Sequence, residues 1–242
     1  MKTFVIGDIH GQLLPLDKLV SWLVTNTNSE DEVVFLGDYI DRGNQTKECL
    51  DRVIQFQKSN HCKVITLLGN HEASLLESLR NSSKHTWLLG MGGLRTLDTY
   101  CPSVAVEMRA ELERLGPDIF TGAHSLPYEL VAKAMPSGHL HFLEQLKPFH
   151  RNRHGFYSHA GLNPRLTLEN QTEQDLVWGD RDFPAQYQGL ELVVYGHWND
   201  ACMGPEGVLK LKKQVNTIGI DTIAHGVLTC LALPDSQAVY FR

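Results

Sequence analysis

Three times in its first third the chain repeats one arrangement, a short apolar run that ends on glycine and polar side chains able to bind a metal. Phe4-Val5-Ile6 closes on Gly7-Asp8-Ile9-His10-Gly11, and Val33-Val34-Phe35-Leu36 closes on Gly37-Asp38-Tyr39-Ile40-Asp41-Arg42-Gly43. Val64-Ile65-Thr66-Leu67-Leu68 closes on Gly69-Asn70-His71-Glu72. Such short apolar runs read as strands covered on both faces. Between the first two, Leu13, Leu16, Leu19, Val20, Leu23 and Val24 recur at helical spacing around Pro15, which suits a first turn and predicts a helix to about Thr25. A second helix, with Cys49, Leu50, Val53, Ile54 and Phe56 on its apolar side, separates the second run from the third. The roughly 30 residues from Asp8 to Asp38 are the length of one βαβ unit. Such crossovers are right-handed and parallel, so the polar residues emerge together at one sheet edge. That edge is where open α/β folds place ligands.

A third helix is expected at about 73–79. From about 80 to 153 the pattern becomes helical and irregular, with candidate helices at 87–99, 104–115 and 139–146, and it reads as a helical cap inserted into a single domain spanning 1–242. Gly90, Gly92 and Gly93 match neither a P-loop nor a dinucleotide fingerprint and follow no strand, so they read as close helix packing. His124, His139, His141, His150 and His154 read as solvated, without a metal role. Short strands return from Gly155. Phe156-Tyr157-Ser158 leads into His159-Ala160-Gly161, Leu192-Val193-Val194-Tyr195 into Gly196-His197-Trp198, and Thr217-Ile218-Gly219-Ile220 into Asp221-Thr222. The last strands, at 226–233 and 238–241, are expected to complete a second sheet.

Composition narrows the partners. A net charge of −6 leaves no broad basic face for nucleic acid or an anionic membrane, so phosphate chemistry must rely on a few local cations. The five cysteines (Cys49, Cys62, Cys101, Cys202, Cys230) are scattered without a Cys-x-x-Cys pair. Reduced, buried thiols in a cytoplasmic setting are the expectation. With no leader pattern and no apolar run near ~18 residues, the chain is expected to be neither exported nor membrane-spanning.

The edge residues collect as Asp8, His10, Asp38, Asn70, His159 and His197. Asp8 and Asp38 would face each other across neighbouring strands, a costly arrangement unless cations lie between them. Six oxygen and nitrogen ligands suffice for two ions sharing a bridging carboxylate, and the mixture suits Mn²⁺, Fe or Zn²⁺ better than Ca²⁺ or Mg²⁺. Paired ions ~3.5–4 Å apart acidify a bridging water and clamp substrate oxygens, which serves in-line attack on phosphorus.

The strings GDIHG, GDYIDRG, GNHE, HAG and YGH, in this order, resemble the phosphoprotein phosphatase family of calcineurin-like metallophosphoesterases, particularly its small bacterial and phage members. The resemblance implies an α/β sandwich of two mixed sheets flanked by helices, with the metal site at their common edge. It implies that Asp8 and His10 hold one metal, that Asp38 bridges, and that Asn70, His159 and His197 complete the second. His71 would be the general acid, oriented by Asp41, and Arg42 would bind phosphoryl oxygens. Arg181 is the counterpart of a second arginine that follows a tryptophan, although its spacing from Trp178 differs by one from the bacterial pattern. Leu68 stands where many members carry arginine, and Ile223 where glycine often follows Asp-Thr. The related symmetrical diadenosine tetraphosphate hydrolases share the scaffold. Leu68 and Trp198 lean toward them, whereas Asp41 before Arg42 and Glu72 after His71 lean away. The favoured expectation is a metal-dependent serine/threonine phosphoprotein phosphatase, with tetraphosphate hydrolysis as the alternative. A non-catalytic module would have lost ligands, and all six are present. A nuclease would carry a basic stripe with stacking aromatics, which the motifs lack.

Overall fold

The computed structural model describes residues 1–59, 61–121, 124–199, 201–203 and 209–242. The first third alternates as expected: β1 (Thr3–Ile6), α1 (Leu13–Asn26), β2 (Glu32–Phe35), α2 (Thr46–Ser59), β3 (Lys63–Thr66) and α3 (Asn70–Arg80). β1, β2 and β3 lie parallel, with Phe4 beside Val33 and Val33 beside Val64. α3 starts at Asn70 rather than Ala73, because the Glu72 carboxylate reaches back to accept the Gly69 N–H at 3.2 Å and caps the helix there.

The following stretch is helical: α4 (Thr86–Gly90), α5 (Gly93–Tyr100), α6 (Pro102–Leu115), a 3-10 turn at Gly116–Thr121, α7 (Tyr128–Ala134) and α8 (Ser137–Glu144). The single helix expected at 87–99 is two helices, since Gly92 takes a φ of +83° that a right-handed helix cannot contain. His139 is buried rather than solvated, bonded to the Tyr100 hydroxyl at 2.6 Å and to Asp51 at 2.9 Å.

The chain then forms β4 (Phe149–Asn152), β5 (Gly155–Ser158), a 3-10 turn at Leu168–Asn170, α9 (Glu173–Val177), β6 (Val193–Tyr195), β7 (Cys202–Met203), β8 (Leu209–Lys210), β9 (Lys212–Gln214) and β10 (Thr217–Gly219). A 3-10 turn at Ile223–His225 precedes β11 (Leu228–Leu233) and β12 (Gln237–Phe241). Two mixed five-stranded sheets result, ordered β12-β11-β1-β2-β3 and β4-β5-β6-β10-β9. The last two strands therefore complete the first sheet, not the second. β11 is buried along its whole length and fits between the layers, antiparallel to β1 with Cys230 opposite Ile6. β12, with Gln237 and Tyr240 exposed, suits the edge.

Side-chain alternation explains the layering. Phe4 and Ile6 point to the helical side with Leu16, Leu19 and Phe35, while Val5 points between the sheets among Val34, Ile65, Tyr157, Val194 and Leu231. On the far face, Phe156, Val193 and Tyr195 pack against Leu162, Leu176 and Phe183. Cys49, Cys62 and Cys230 are buried free thiols, whereas Cys202 is exposed, contrary to expectation. Among the described residues no helix is long and apolar enough to cross a membrane.

Candidate metal centre

The parallel strands of both sheets end on one edge. β1, β2 and β3 deliver Asp8, Asp38 and Asn70; β5, β6 and β10 deliver His159, His197 and Asp221. The turns after these strands are sharply wound. His10, Asp38, Asp41, Arg42 and His197 all have φ between +46° and +68°. Non-glycine residues avoid this region, and a concentration of them marks a site where surrounding contacts over-determine the backbone.

Glu72 supplies much of that determination. Its buried carboxylate accepts the backbone N–H groups of Asp38 (2.9 Å), Tyr39 (2.9 Å), Ile40 (3.1 Å) and Gly69 (3.2 Å). Burial and the nearby Asp38 push the Glu72 carboxyl up to about 8, against which its backbone donors favour the ionised form. The sequence places Glu72 inside a motif, but nothing in its spacing reveals that it clamps the Asp38 turn.

The predicted ligands converge. Asp38 Oδ2 lies 3.3 Å from His10 Nε2, and Asp38 Oδ1 lies 3.4 Å from His159 Nε2. Asp8 Oδ2 is 3.9 Å from His10 Nε2, and the Asp8 carboxylate accepts the His197 N–H at 3.2 Å. Gly196 permits that approach, since a Cβ there would stand 2.1 Å from Asp8 Oδ1. Asn70 Oδ1 faces His159 Nε2 at 2.9 Å and His197 Nδ1 at 3.1 Å.

The donor chemistry fits cations. His10 Nδ1 is 2.9 Å from the Ile40 carbonyl and His159 Nδ1 is 3.1 Å from the Leu36 carbonyl. A carbonyl only accepts, so both Nδ1 atoms carry a proton and both Nε2 atoms point inward, the arrangement that orients ligating histidines. Burial holds His159 below the ordinary histidine value, and burial with His159 brings His197 to about 4, both shifts in the direction of the metal-binding neutral ring. Asp38, despite its burial, is held well below the carboxylate range by His159, His71 and His10, while burial with Asp221 and Asp38 pushes Asp8 up. Ring nitrogens and carboxylate oxygens thus face one another. Turning the Asn70 amide over would let its NH₂ donate to His159, His197 and Asp38. In either amide orientation buried His10 Nε2 has no hydrogen-bond partner, which a cation satisfies. Among the described residues two triads bring ligand atoms within 4.8 Å of one another, His10-Asp38-His71 and Asp38-His159-His197, and they share Asp38.

His71 sits at the rim of this cluster. Its Nδ1 is 2.7 Å from Asp41 Oδ2, and its Nε2 is 3.8 Å from Asp38 Oδ2 and 3.3 Å from Arg42 Nη2. Burial opposes its charged form, but the Asp38 and Asp41 carboxylates outweigh that and raise His71 above the ordinary value. Arg42 is exposed. Arg181 is exposed too, and among the described residues no hydrogen bond or ion pair joins it to the cluster. Asp221, read in the sequence as a strand end only, is buried beside the centre and accepts the N–H of Asn199 at 2.8 Å, bracing the turn after His197.

The sequence pattern described as calcineurin-like phosphoesterase matches residues 1–201. The chain is 34% identical over 113 residues to a protein named bis(5'-nucleosyl)-tetraphosphatase, symmetrical, of Actinobacillus pleuropneumoniae serotype 3 (strain JL03), across 47% of this chain and 37% of that one. It is 40% identical over 74 residues to the serine/threonine-protein phosphatase 2B catalytic subunit A1 of Saccharomyces cerevisiae, across 31% of this chain and 13% of that one. The matched segments thus span little more than a third of the first relative and far less of the second. In fold, the structure of a candidate diadenosine tetraphosphatase superposes with a TM-score of 0.64 at 18% identity, covering 99% of this chain and 92% of that one. With the family pattern extending over most of its length and the two-sheet fold around a metal-competent edge, the chain belongs to the calcineurin-like metallophosphoesterase family.

Proposed function

We propose that the chain is a phosphomonoester hydrolase that removes phosphate from phosphoserine and phosphothreonine in proteins. The observation that carries this reading is the buried Asp41-His71 pair, bonded at 2.7 Å, with the Nε2 edge of His71 turned to Arg42 at the rim of the centre. In this reading Asp8 and His10 hold one divalent ion, Asn70, His159 and His197 hold a second, and Asp38 lies between them. Manganese is the first choice, with iron or zinc acceptable to the same donors. When bound, the ions would supply Lewis-acid chemistry, acidifying a water and neutralising phosphoryl charge.

The side chains account for the remaining steps. An alkoxide leaving from phosphoserine is too basic to depart alone, so a positioned acid contributes typically ~10²–10⁴-fold. As a water oxygen bonds to phosphorus and the ester P–O bond breaks, His71 gives its Nε2 proton to the departing oxygen, while its Nδ1–H stays on the ring and donates to Asp41, which fixes the ring orientation. Arg42 only donates, so its 3.3 Å contact suits the neutral imidazole left after transfer. In the charged state two donors would face each other, and a phosphoryl or leaving oxygen between them resolves the conflict. Arg42 and exposed Arg181 are the proposed phosphoryl ligands, their forked donors suiting that geometry. The helical stretch 80–153 is proposed as the cap over this rim, and the partner is a phosphorylated protein or small phosphoester.

A second reading, symmetrical hydrolysis of a dinucleoside tetraphosphate, is favoured by the name of the bacterial relative and by Leu68 and Trp198. One metal-stripped preparation, reloaded with Mn²⁺ and assayed beside an Asp38→Asn control, distinguishes them. A higher kcat/KM on a phosphoserine or phosphothreonine peptide than on diadenosine tetraphosphate is expected. The reverse preference sinks the phosphoprotein reading, and no turnover above the control sinks both.

A further inference from the structure

The Asp41 carboxylate is held from its far side by two residues of the helical stretch that no motif points to. Trp87 Nε1–H, from α4, donates to Asp41 Oδ1 at 3.2 Å and Oδ2 at 3.1 Å. The Thr96 hydroxyl, from α5, donates to Oδ1 at 2.6 Å and accepts the Asp41 backbone N–H at 3.0 Å, so one hydroxyl fixes both the backbone and the side chain. Asp41, Trp87 and Thr96 are fully buried. The two donors come from different helices, and the glycines between them bring both to the same carboxylate. Gly92 breaks the helix with φ +83°, and Gly93 lies against the Trp87 ring so closely that a Cβ there would stand 2.5 Å from Cε2. The glycine cluster that fits no phosphate loop thus has a physical purpose.

We propose that Trp87 and Thr96 are positioning residues for the proton-donating step. They hold Asp41 with Oδ2 turned to His71 Nδ1, which leaves His71 Nε2 as the edge presented to the leaving oxygen. Asp41 has a single orientation because each of its oxygens is taken. A carboxylate free to rotate would let the imidazole turn with it, and proton delivery would suffer while phosphate binding would not. This inference rests on the reading of His71 as the acid.

The test is the dependence of rate on the leaving group, using the full chain loaded with Mn²⁺. Departure of an alkoxide needs the proton, whereas departure of p-nitrophenolate scarcely does. Trp87→Phe removes one N–H and keeps a ring against Gly93. It should lower kcat on a phosphoserine peptide about tenfold, with KM unchanged, and lower kcat on p-nitrophenyl phosphate less than about twofold. Thr96→Val should give the same split and Thr96→Ser should restore it, which a merely structural role would not produce. If Trp87→Phe slows both substrates equally, or neither, while His71→Asn shows the split, the positioning role is refuted and the acid assignment stands. If His71→Asn shows no split, the acid assignment fails and the inference falls with it.

Discussion

Replacing Glu72 by glutamine keeps the side chain's shape and changes two acceptor sites into donors. Oε2 accepts from Asp38 N and Gly69 N, and Oε1 accepts from Tyr39 N and Ile40 N. A glutamine amide placed with its NH₂ at Oε2 leaves the first two N–H groups facing donors. Rotated by half a turn, it strands the other two instead, so neither rotamer escapes. Two buried N–H groups lose their partner at ~1–3 kcal/mol each, for a destabilisation of about 2–6 kcal/mol. Urea unfolding at about pH 9 in excess chelator, above the value of about 8 so that Glu72 is ionised, followed by tryptophan fluorescence, reads this loss without a metal-binding contribution. A loss under about 0.5 kcal/mol would mean that the turn accepts a neutral side chain at this position, and the clamp argument would be refuted.

Glu32 gives a pH prediction at the opposite end of the strands. Burial raises its carboxyl, but bonds from Lys63, Asn152 and His150 outweigh burial and bring it from 4.5 down to about 2. Because the folded value is the lower one, the stabilisation is fully present above about pH 5 and is lost as pH falls toward 2. Glu32→Gln should therefore flatten the acid limb of the stability curve by at most about 3 kcal/mol, and an unchanged limb contradicts it. Gly196→Ala puts a Cβ into the space of Asp8 Oδ1, so calorimetric titration should show Mn²⁺ affinity reduced at least about tenfold, and unaltered affinity would contradict the packing described. Leu19→Ala in the fully buried helical-side core should cost about 2–5 kcal/mol in urea unfolding; a cost below about 1 kcal/mol would contradict the close packing there.

The edge residues were legible because periodicity and chirality act over whole elements. Once three strands each end on glycine and a polar residue one βαβ unit apart, parallel pairing brings Asp8, Asp38 and Asn70 together whatever the details of the turns. His159 and His197 follow the same rule in the second sheet. The residues that the pattern did not reveal act through single hydrogen bonds between distant segments. Glu72 reaches the Asp38 turn, Asp221 braces Asn199, and Trp87 and Thr96 reach Asp41 across 46 and 55 residues. No local spacing encodes such a contact. The pairing of β11 with β1 was missed for a similar reason, since an apolar strand near the end of the chain carries no mark of which sheet it joins. Short α7 and the break at Gly92 lie where helical periodicity has too few residues to declare itself.

The claim underneath all of this is that Asp38 stands between two ions. Equilibrium binding of Mn²⁺ to the metal-stripped chain, counted by inductively coupled plasma analysis after dialysis, tests it directly beside Asp38→Asn. Two ions per wild-type chain and no more than one in the variant are expected. A wild-type chain that binds one ion or none, or an Asp38→Asn chain that still binds two as tightly, would contradict the dinuclear centre.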